Sequence, residues 1–427
     1  MNTASLALPH DQIRALFPSL GQQVAGRPAV FLDSPGGTQT PIGVMEAMSG
    51  YLGRDNANTG GAFVTSRHTG ETVAAARQEM VAFLNAARPE EIVFGQNMTS
   101  LVFALSHALR RTWHAGDEVI ITSLDHDANV APWMHAAADA DAAVRTWEFR
   151  KEDCTLHLDD LAALLNERTR LVALTHASNA IGTIPDVAGA VRLVRERAPQ
   201  ALVTIDAVHF TPHRAVDVRA LDCDFLACSA YKFCGPHLGM LYGKYEHLER
   251  LQAYKVRPSS AKPPGKWETG TQSFESISGL RAALAYLGSL GADPTAGPHA
   301  AMETIRVYEE RLTRAFLDGA ARVPGLKIYG ITDPDRAHER TPTFGVTLDG
   351  WHAREVAERL GEQGIFVWDG HFYAVGVTER LGLDDHGGLV RIGFAHYNTL
   401  EEVDRVLGAL GELARERANA PDPLVSC

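Results

Sequence analysis

The segment "CDFLACSAYKFCGPHLGMLYG", residues 223–243, places a lysine just beyond an apolar run. The run through Cys228 predicts a buried strand, and Lys232 follows at its carboxyl end. A lysine amine is costly to bury. Proteins tolerate one when it is paired, or when its chemistry needs a lowered pKa, as in imine formation with an aldehyde. Lys232 is therefore a candidate for covalent chemistry at the end of a strand.

The residues around this segment predict an α/β fold. The segment itself holds two predicted strands, and five more lie upstream at residues 91–95, 117–123, 142–149, 169–178 and 201–209. Helical patterns of about 10–15 residues separate most of these strands, which is typical of right-handed crossovers in a mostly parallel sheet. Ligands of such folds bind at the carboxyl ends of the strands. We predict a large, mostly parallel seven-stranded sheet with its ligand site at that edge.

The chain divides into three predicted parts. Residues 1–30 are expected to form an N-terminal arm that packs on the small domain, and residues 31–294 the large domain. From about residue 295 the pattern changes to a compact α+β unit, so residues 295–427 are predicted as a small C-terminal domain with a mobile tail. The Pro- and Gly-rich stretch at 257–273 predicts a long functional loop.

Composition excludes several classes of partner. The formal net charge is −12 with no Lys/Arg block, which disfavours nucleic acid. No apolar run approaches the roughly 20 residues that span a bilayer, so no membrane partner is expected. The first residues lack a signal-peptide pattern, and we expect a cytoplasmic protein.

The cysteines and histidines do not predict a metal site. None of the five cysteines forms a C-x2-C pair, so we interpret them as reduced thiols. Asp125, His126, Asp127 and His135 could suggest ligands, but no second cluster has ligand spacing.

Polar residues stand at several predicted strand ends, where a sheet core does not need them. They are Asp206, His209, Ser229, Lys232, Asn179 and His126, and a further polar residue, Thr99, follows Met98 at the start of a helix. Taken singly, each residue has an ordinary structural explanation. Asp206 is explained as a helix cap, and His126 as a histidine whose hydrogen bonds are all made. Their shared order favours one ligand, a charged aromatic aldehyde that carries a phosphate. Asp206 would pair with its pyridinium, the helix start would bind the phosphate, and His126 would stack on the ring.

Four segments together carry a resemblance to a known family. They are "LDHDANVAPW" (124–133), "HASNAIGTIPDV" (176–187), "IDAVHF" (205–210) and "SAYKFCGPHLGMLYG" (229–243). With these the chain resembles the class V aminotransferases of fold type I, and among them the cysteine desulfurase/selenocysteine lyase group. The resemblance extends from residue 31 to residue 407. It implies the fold type I architecture and a pyridoxal 5′-phosphate (PLP) cofactor.

The resemblance also implies residue roles. Lys232 would form the imine with PLP and later act as general base, and Asp206 would pair with the pyridinium. The other implied cofactor contacts are His209 and Asn179 at the phenolic oxygen, His126 on the ring, and Thr99, Ser229, Tyr231 and the Met98 region at the phosphate. Thr271, in "ETGTQ" (268–272), would reach the phosphate of a neighbouring subunit, which implies a homodimer. Arg391 would bind the α-carboxylate of an amino-acid substrate.

One segment departs from the family pattern. In "DGHFYAVGV" (369–377), Tyr373 stands where desulfurases carry a nucleophilic cysteine, and Trp368 where the group usually has a second arginine. A tyrosine oxygen cannot hold a persulfide. Both aromatic residues are therefore predicted as substrate contacts, with Cys234 and Cys427 as weaker candidate nucleophiles.

These features favour a PLP-dependent lyase that eliminates a β-substituent without a persulfide on the usual loop. Three alternatives stay open: an amino-acid epimerase, an aminotransferase of class V, and a PLP-fold binding module without turnover.

Overall fold

The computed structural model describes residues 9–418 and contains two main sheets. The strands are β1 (Gln23–Val24), β2 (Arg27–Pro28), β3 (Val30–Phe31), β4 (Ile92–Gly95), β5 (Glu118–Thr122), β6 (Ala143–Trp147), β7 (Thr169–Thr175), β8 (Leu202–Asp206), β9 (Phe225–Ser229), β10 (Gly239–Gly243), β11 (Leu326–Tyr329), β12 (Thr343–Leu348), β13 (Ile365–Phe366), β14 (Trp368–Gly370) and β15 (Leu389–Gly393). The helices are α1 (His10–Ala15), α2 (Ile42–Arg54), α3 (Val64–Leu84), α4 (Met98–Leu109), α5 (Ala131–Ala138), α6 (Leu158–Leu164), α7 (Val187–Arg197), α8 (Val218–Leu221), α9 (Tyr245–Arg250), α10 (Phe274–Ser289), α11 (Gly297–Ala320), α12 (Ala353–Glu362), α13 (Val375–Leu381) and α14 (Leu400–Ala418).

The large sheet confirms the predicted seven strands. Their order is β4-β10-β9-β8-β7-β5-β6, and only β10 runs antiparallel to its neighbours. Successive side chains of β9 alternate between two hydrophobic clusters: Phe225 and Ala227 join one, Leu226 and Cys228 the other. Both faces of the sheet are therefore covered, which explains why its strands are nearly continuous apolar runs.

The small sheet belongs to the C-terminal part of the chain. It has the order β11-β12-β15-β14, is antiparallel throughout, and packs with α11, α12 and α14 around a third cluster. These strands and helices are the elements of the α+β pattern that the sequence predicts beyond residue 295.

The N-terminal residues lie against the C-terminal part. The Arg14 guanidinium donates to the Tyr397 carbonyl at 2.8 Å and pairs with Glu402 at 3.0 Å. Further along, β3 pairs with β13. The boundaries at residues 30 and 294 stay predictions. Residues 1–8 of the proposed arm and 419–427 of the predicted tail lie outside the described residues.

The sheet topology determines where a site can form. Thr122, Thr175, Asp206 and Ser229 are the last residues of four neighbouring parallel strands, β5, β7, β8 and β9. Their side chains and the loops that follow meet at one edge, as the sequence predicted. Across residues 9–418, no helix is long and apolar enough to cross a membrane.

Candidate active site

A cavity with about 500 Å³ of empty space, part of it open to solvent, lies at the carboxyl edge of the large sheet. Nine of the ten predicted cofactor residues line it: Met98, Thr99, His126, Asn179, Asp206, His209, Ser229, Tyr231 and Lys232. The structure thus brings together residues that are up to 134 positions apart (232 − 98).

Lys232 lies in a 3-10 turn directly after β9, with its side chain buried. Its amine donates to the Pro35 carbonyl. Pro35 belongs to a tight turn in which Gly36 N–H donates to the Asp33 carbonyl at 2.8 Å. Burial, with a smaller effect from Arg391, lowers the pKa of Lys232 to about 7, although Asp206 opposes the shift. Much of this amine is therefore neutral at pH 7.

Asp206 ends β8, is buried, and accepts a hydrogen bond from Val208 N–H at 2.8 Å. Burial raises its pKa to about 6, against the opposing effects of Val208 N–H and Lys232. The carboxylate is still largely ionised at pH 7. Asp206 and Lys232 line the same cavity, but their side chains do not form a salt bridge with each other. A buried anion on the cavity wall suits a cationic ring nitrogen.

Asn179 and His209 each present a buried polar atom without a hydrogen-bond partner among the described residues. The atoms are Asn179 Oδ1 and His209 Nδ1. The other polar atom of each side chain is occupied: Asn179 Nδ2 donates to the Phe372 carbonyl at 2.9 Å, and His209 Nε2 lies 3.0 Å from Thr343 Oγ1. Buried polar atoms are nearly always paired in native proteins. The two free atoms therefore fit a ligand that offers hydrogen bonds at this wall.

His126 follows β5 and presents a neutral ring to the cavity. Its Nδ1 accepts Ala128 N–H at 3.0 Å, and burial, with Lys232 and Arg391, lowers its pKa to about 4. Tyr373 stacks on this ring with a centroid distance of 5.4 Å and an interplanar angle of 21°. Tyr373 is otherwise 67% exposed. A flat neutral ring of this kind suits stacking against an aromatic ligand.

The phosphate end of the predicted site is the start of α4. Asn97 caps this helix, and Met98 N–H donates to Ser229 Oγ at 3.2 Å. Thr99 is exposed and lines the cavity. A helix N-terminus with adjacent hydroxyl groups is a favourable place for a phosphate.

Arg391 lies on β15, next to the cavity but outside its lining. Its Nη1 donates to the Asn179 carbonyl at 3.1 Å, its guanidinium lies 4.2 Å from the Phe372 ring centroid, and its buried Nε has no partner among the described residues. Burial lowers its pKa to about 9, and Asp33 opposes this. Trp368, half exposed, is directly opposite Arg391 across the β14–β15 pair.

Thr271 does not line the Lys232 cavity. It lies in the long loop between α9 and α10 and faces a separate groove, with Asn58, Arg77 and Glu268 on its walls. Its contact with a neighbouring subunit stays a prediction.

None of the four cysteines that the structure describes lines the cavity. Cys154, Cys223, Cys228 and Cys234 are buried. Burial raises the pKa of the Cys154 thiol to about 11 and that of Cys234 to about 12. Protonated, inaccessible thiols are poor nucleophiles. Cys427 lies outside the described residues.

Sequence reasoning missed the residues that act on this site from other elements. Pro35 offers only a backbone carbonyl, so no residue type predicts it. Thr341, Thr343 and the buried Arg340 approach His209 and the Asn179 segment from the small-sheet side. The short "ERTPT" stretch (339–343) gives no periodic signal that would have indicated this. Within residues 9–418, no cluster of three or more metal-ligating side chains is present.

The comparisons with known proteins agree with this geometry. The family model "Aminotransferase class-V" matches residues 30–406. A cysteine desulfurase of Dickeya dadantii is 33% identical over 422 residues, which cover 95% of this chain and 97% of that protein. A probable cysteine desulfurase of Synechocystis is 32% identical, over 93% and 94% of the two chains. The crystal structure of an Escherichia coli cysteine desulfurase superimposes with a TM-score of 0.83 at 26% identity, covering 96% of this chain and 99% of that one.

Proposed function

Because the chain belongs to the class V aminotransferase family and is a cysteine desulfurase-like PLP enzyme of fold type I, we propose that it is a lyase that eliminates the β-substituent of an amino acid without forming a persulfide on its loop. The observation that carries the proposal is Tyr373, which stands where the family resemblance implies the loop cysteine of desulfurases. None of the four cysteines among residues 9–418 lines the cavity to replace it.

The residues that line the cavity fit PLP by their charge, their burial and their free polar atoms. Bound there, PLP supplies an electron-withdrawing ring that makes the substrate's Cα–H bond acidic. Lys232 would hold the cofactor covalently, Asp206 would hold the proton on its ring nitrogen, and the α4 N-terminus would bind its phosphate. Asn179 Oδ1, which can only accept, and His209 Nδ1, which can donate, are buried without partners among the described residues and would face its phenolic hydroxyl, which can donate to the first and accept from the second.

Lys232 is the proposed base for the substrate's α-proton. A base works best when its pKa is near the working pH, and burial lowers the pKa of this amine to about 7. Its protonated form can return that proton to the amino acid or to the leaving group.

Arg391 is the proposed partner of the substrate carboxylate. Its Nε is buried and unpaired among the described residues, and a carboxylate would accept a strong charge-assisted hydrogen bond from it. Phe372 covers one face of the guanidinium, while Tyr373 and Trp368 expose aromatic surface nearby. These rings favour a β-substituent larger than a thiol.

Product analysis tests the proposal. The PLP-loaded protein is incubated with cysteine, cystine, selenocysteine and both enantiomers of alanine. β-Elimination from cysteine adds water overall and releases pyruvate, ammonia and sulfide in equal amounts. Desulfuration instead leaves alanine and a protein-bound sulfane sulfur.

Each alternative has its own product. Inverted chirality without release of the β-substituent indicates an epimerase. Transfer of the amino group to the cofactor indicates an aminotransferase. A bound cofactor without turnover of any donor indicates a binding module. Lys232→Ala is the control and is expected to abolish every product.

A further inference from the structure

We propose that Arg340 is a positioning residue that fixes both Asn179 and His209 for the cofactor. The proposal rests on the assignment of those two side chains to the PLP phenolic oxygen. It does not depend on which reaction follows.

Arg340 is a buried cation whose hydrogen bonds all go to backbone carbonyls. It is 1% exposed, and no salt bridge joins it to a carboxylate anywhere in residues 9–418. Its Nη2 donates to the Ile181 carbonyl at 3.1 Å and to the Thr343 carbonyl at 2.6 Å. Its Nη1 donates to Ile331, and its guanidinium lies 4.2 Å from the Phe344 ring centroid. Burying a charge without a counter-ion is unfavourable. An apolar side chain would leave the carbonyls of Ile331, Ile181 and Thr343 without this donor, so the guanidinium joins three separate segments.

The first connection runs to Asn179. Ile181 lies in the turn that carries Asn179, and the turn is closed by a hydrogen bond from Gly182 N–H to the Ser178 carbonyl at 2.9 Å. Arg391 holds the same turn from the other side, through the Asn179 carbonyl at 3.1 Å. Arg340 therefore anchors the backbone two residues from the free Asn179 amide oxygen.

The second connection runs to His209. The segment that Arg340 anchors through the Thr343 carbonyl also presents the Thr341 and Thr343 hydroxyls to His209 Nε2, at 3.2 and 3.0 Å. These hydroxyls hold the ring so that Nδ1 is the atom left without a partner. Because Nη2 bonds both Ile181 and Thr343, one guanidinium nitrogen joins the two cofactor-facing groups, alongside the backbone bond from Thr341 N–H to the Gly182 carbonyl at 2.9 Å. A lysine has a single nitrogen and no planar fork, so it could not bond these two carbonyls and, through a second nitrogen, the Ile331 carbonyl as well.

The test compares cofactor binding with folding. Apoproteins of Arg340→Lys, Arg340→Met and Thr343→Val are titrated with PLP, and both the Kd and the visible absorption maximum of the bound cofactor are measured. We expect each variant to weaken PLP binding about tenfold or more and to shift the maximum, because a hydrogen bond to the phenolic oxygen loses its alignment. Arg340→Lys should not rescue the wild-type spectrum.

Arg195→Met is the matched control. Arg195 also joins strands through buried contacts, with Asp224 at 2.9 Å and the Ala201 carbonyl at 3.1 Å, but these lie at the amino ends of β8 and β9, opposite the cavity. It should lower the unfolding temperature and leave the Kd and spectrum unchanged.

Asn179→Ala and His209→Ala serve as benchmarks. If neither benchmark moves the spectrum, the assigned phenolic-oxygen site is wrong and the proposal fails with it. If the benchmarks move it but the folded Arg340→Lys or Thr343→Val protein keeps wild-type Kd and spectrum, the site stands and the positioning role is overturned. Thr343→Val removes one hydroxyl and leaves the carbonyl for Arg340, so it tests the link from this segment to His209 even if the arginine variants do not fold, and an unchanged Kd and spectrum would overturn that link.

Discussion

At the residue scale, the lowered pKa of Lys232 makes a direct prediction. A neutral amine is the nucleophile that captures an aldehyde, and burial places its pKa at about 7. The capture rate of PLP by the apoprotein should rise about tenfold per pH unit below pH 7 and level off above about pH 8. Stopped-flow absorbance measures this, with Nα-acetyl-lysine as the reference amine. A rate that keeps rising to pH 10 would show an ordinary lysine and contradict the role.

The second prediction concerns Asp206, whose substitution should change PLP binding and folding stability in different ways. Asp206→Asn should weaken PLP binding on the order of several hundredfold, because the ring nitrogen loses a buried ionic partner. The apoprotein should not lose stability at pH 7. Burial raises the pKa of Asp206 to about 6, so folding disfavours the ionised form, and Asn removes that charge.

PLP titration and thermal unfolding measure the two effects of Asp206→Asn. Asp224→Asn, at the amino end of β9 and paired with Arg195, is the control: it should lower stability and leave PLP affinity unchanged. Equal losses of affinity in both variants would exclude a specific role for Asp206.

At the scale of elements, the loop between β14 and α13 is held closed over the site by contacts that offset backbone strain. Phe372 and Tyr373 have φ of 53° and 59°, in the left-handed region that costs non-glycine residues about 1–2 kcal/mol each. Asn179 Nδ2 holds the Phe372 carbonyl, and Asp127 N–H donates to the Tyr373 carbonyl at 2.7 Å. The loop thus presents position 373 beside His126.

Tyr373→Cys tests whether only the nucleophile is missing from this loop. The introduced thiol should gain the mass of one sulfur atom after addition of cysteine, and alanine should appear among the products. Mass spectrometry of the intact protein measures this, with Tyr373→Ser as the control that cannot hold sulfur. A sulfur adduct on the wild-type protein would contradict the proposed lyase.

The Ser178–Gly182 turn is the second element with a testable consequence. Gly182 has φ of 79°, and a Cβ there would lie 2.3 Å from the Thr343 carbonyl oxygen. Gly182→Ala should cost more than about 1 kcal/mol of unfolding free energy and weaken PLP binding through Asn179. Gly361→Ala, within α12 and with open space around its Cα, should instead stabilise by about 0.5–1 kcal/mol. Denaturant unfolding measures the free energy of unfolding of both variants. Equal changes would show that the close approach of Gly182 to the Thr343 carbonyl is not rigid.

At the scale of the whole molecule, the position of Thr271 supports the prediction of a homodimer. Thr271 faces a groove separate from the cavity of its own chain, and α2 exposes Ile42, Met45 and Leu52. If Thr271 completes a neighbour's site, mixing Lys232→Ala with Thr271→Ala chains should restore activity that neither has alone, since one site of each mixed dimer has both residues. Light scattering should show a dimer. A monomer, or no restoration in verified mixed dimers, would contradict the shared site.

The sequence by itself determined the strands of the large sheet and most of the cavity. Apolar runs of strand length and the spacing between them predicted all seven strands. Polar residues at strand ends, the start of α4 and the family resemblance together predicted nine of the ten cofactor positions that now line one cavity. Such features are local, since strand periodicity and a polar residue at a strand end do not depend on distant parts of the chain.

Only the tertiary structure decided what surrounds those residues. The Pro35 carbonyl at Lys232, the Phe372 ring over Arg391 and the Arg340 guanidinium between Asn179 and His209 come from segments 19 to 197 positions away. Backbone carbonyls carry no residue signature, and a buried arginine in a short loop follows no periodic pattern. The pKa values of Lys232 and Asp206 likewise depend on burial, which exists only once both sheets and the loops between them have packed.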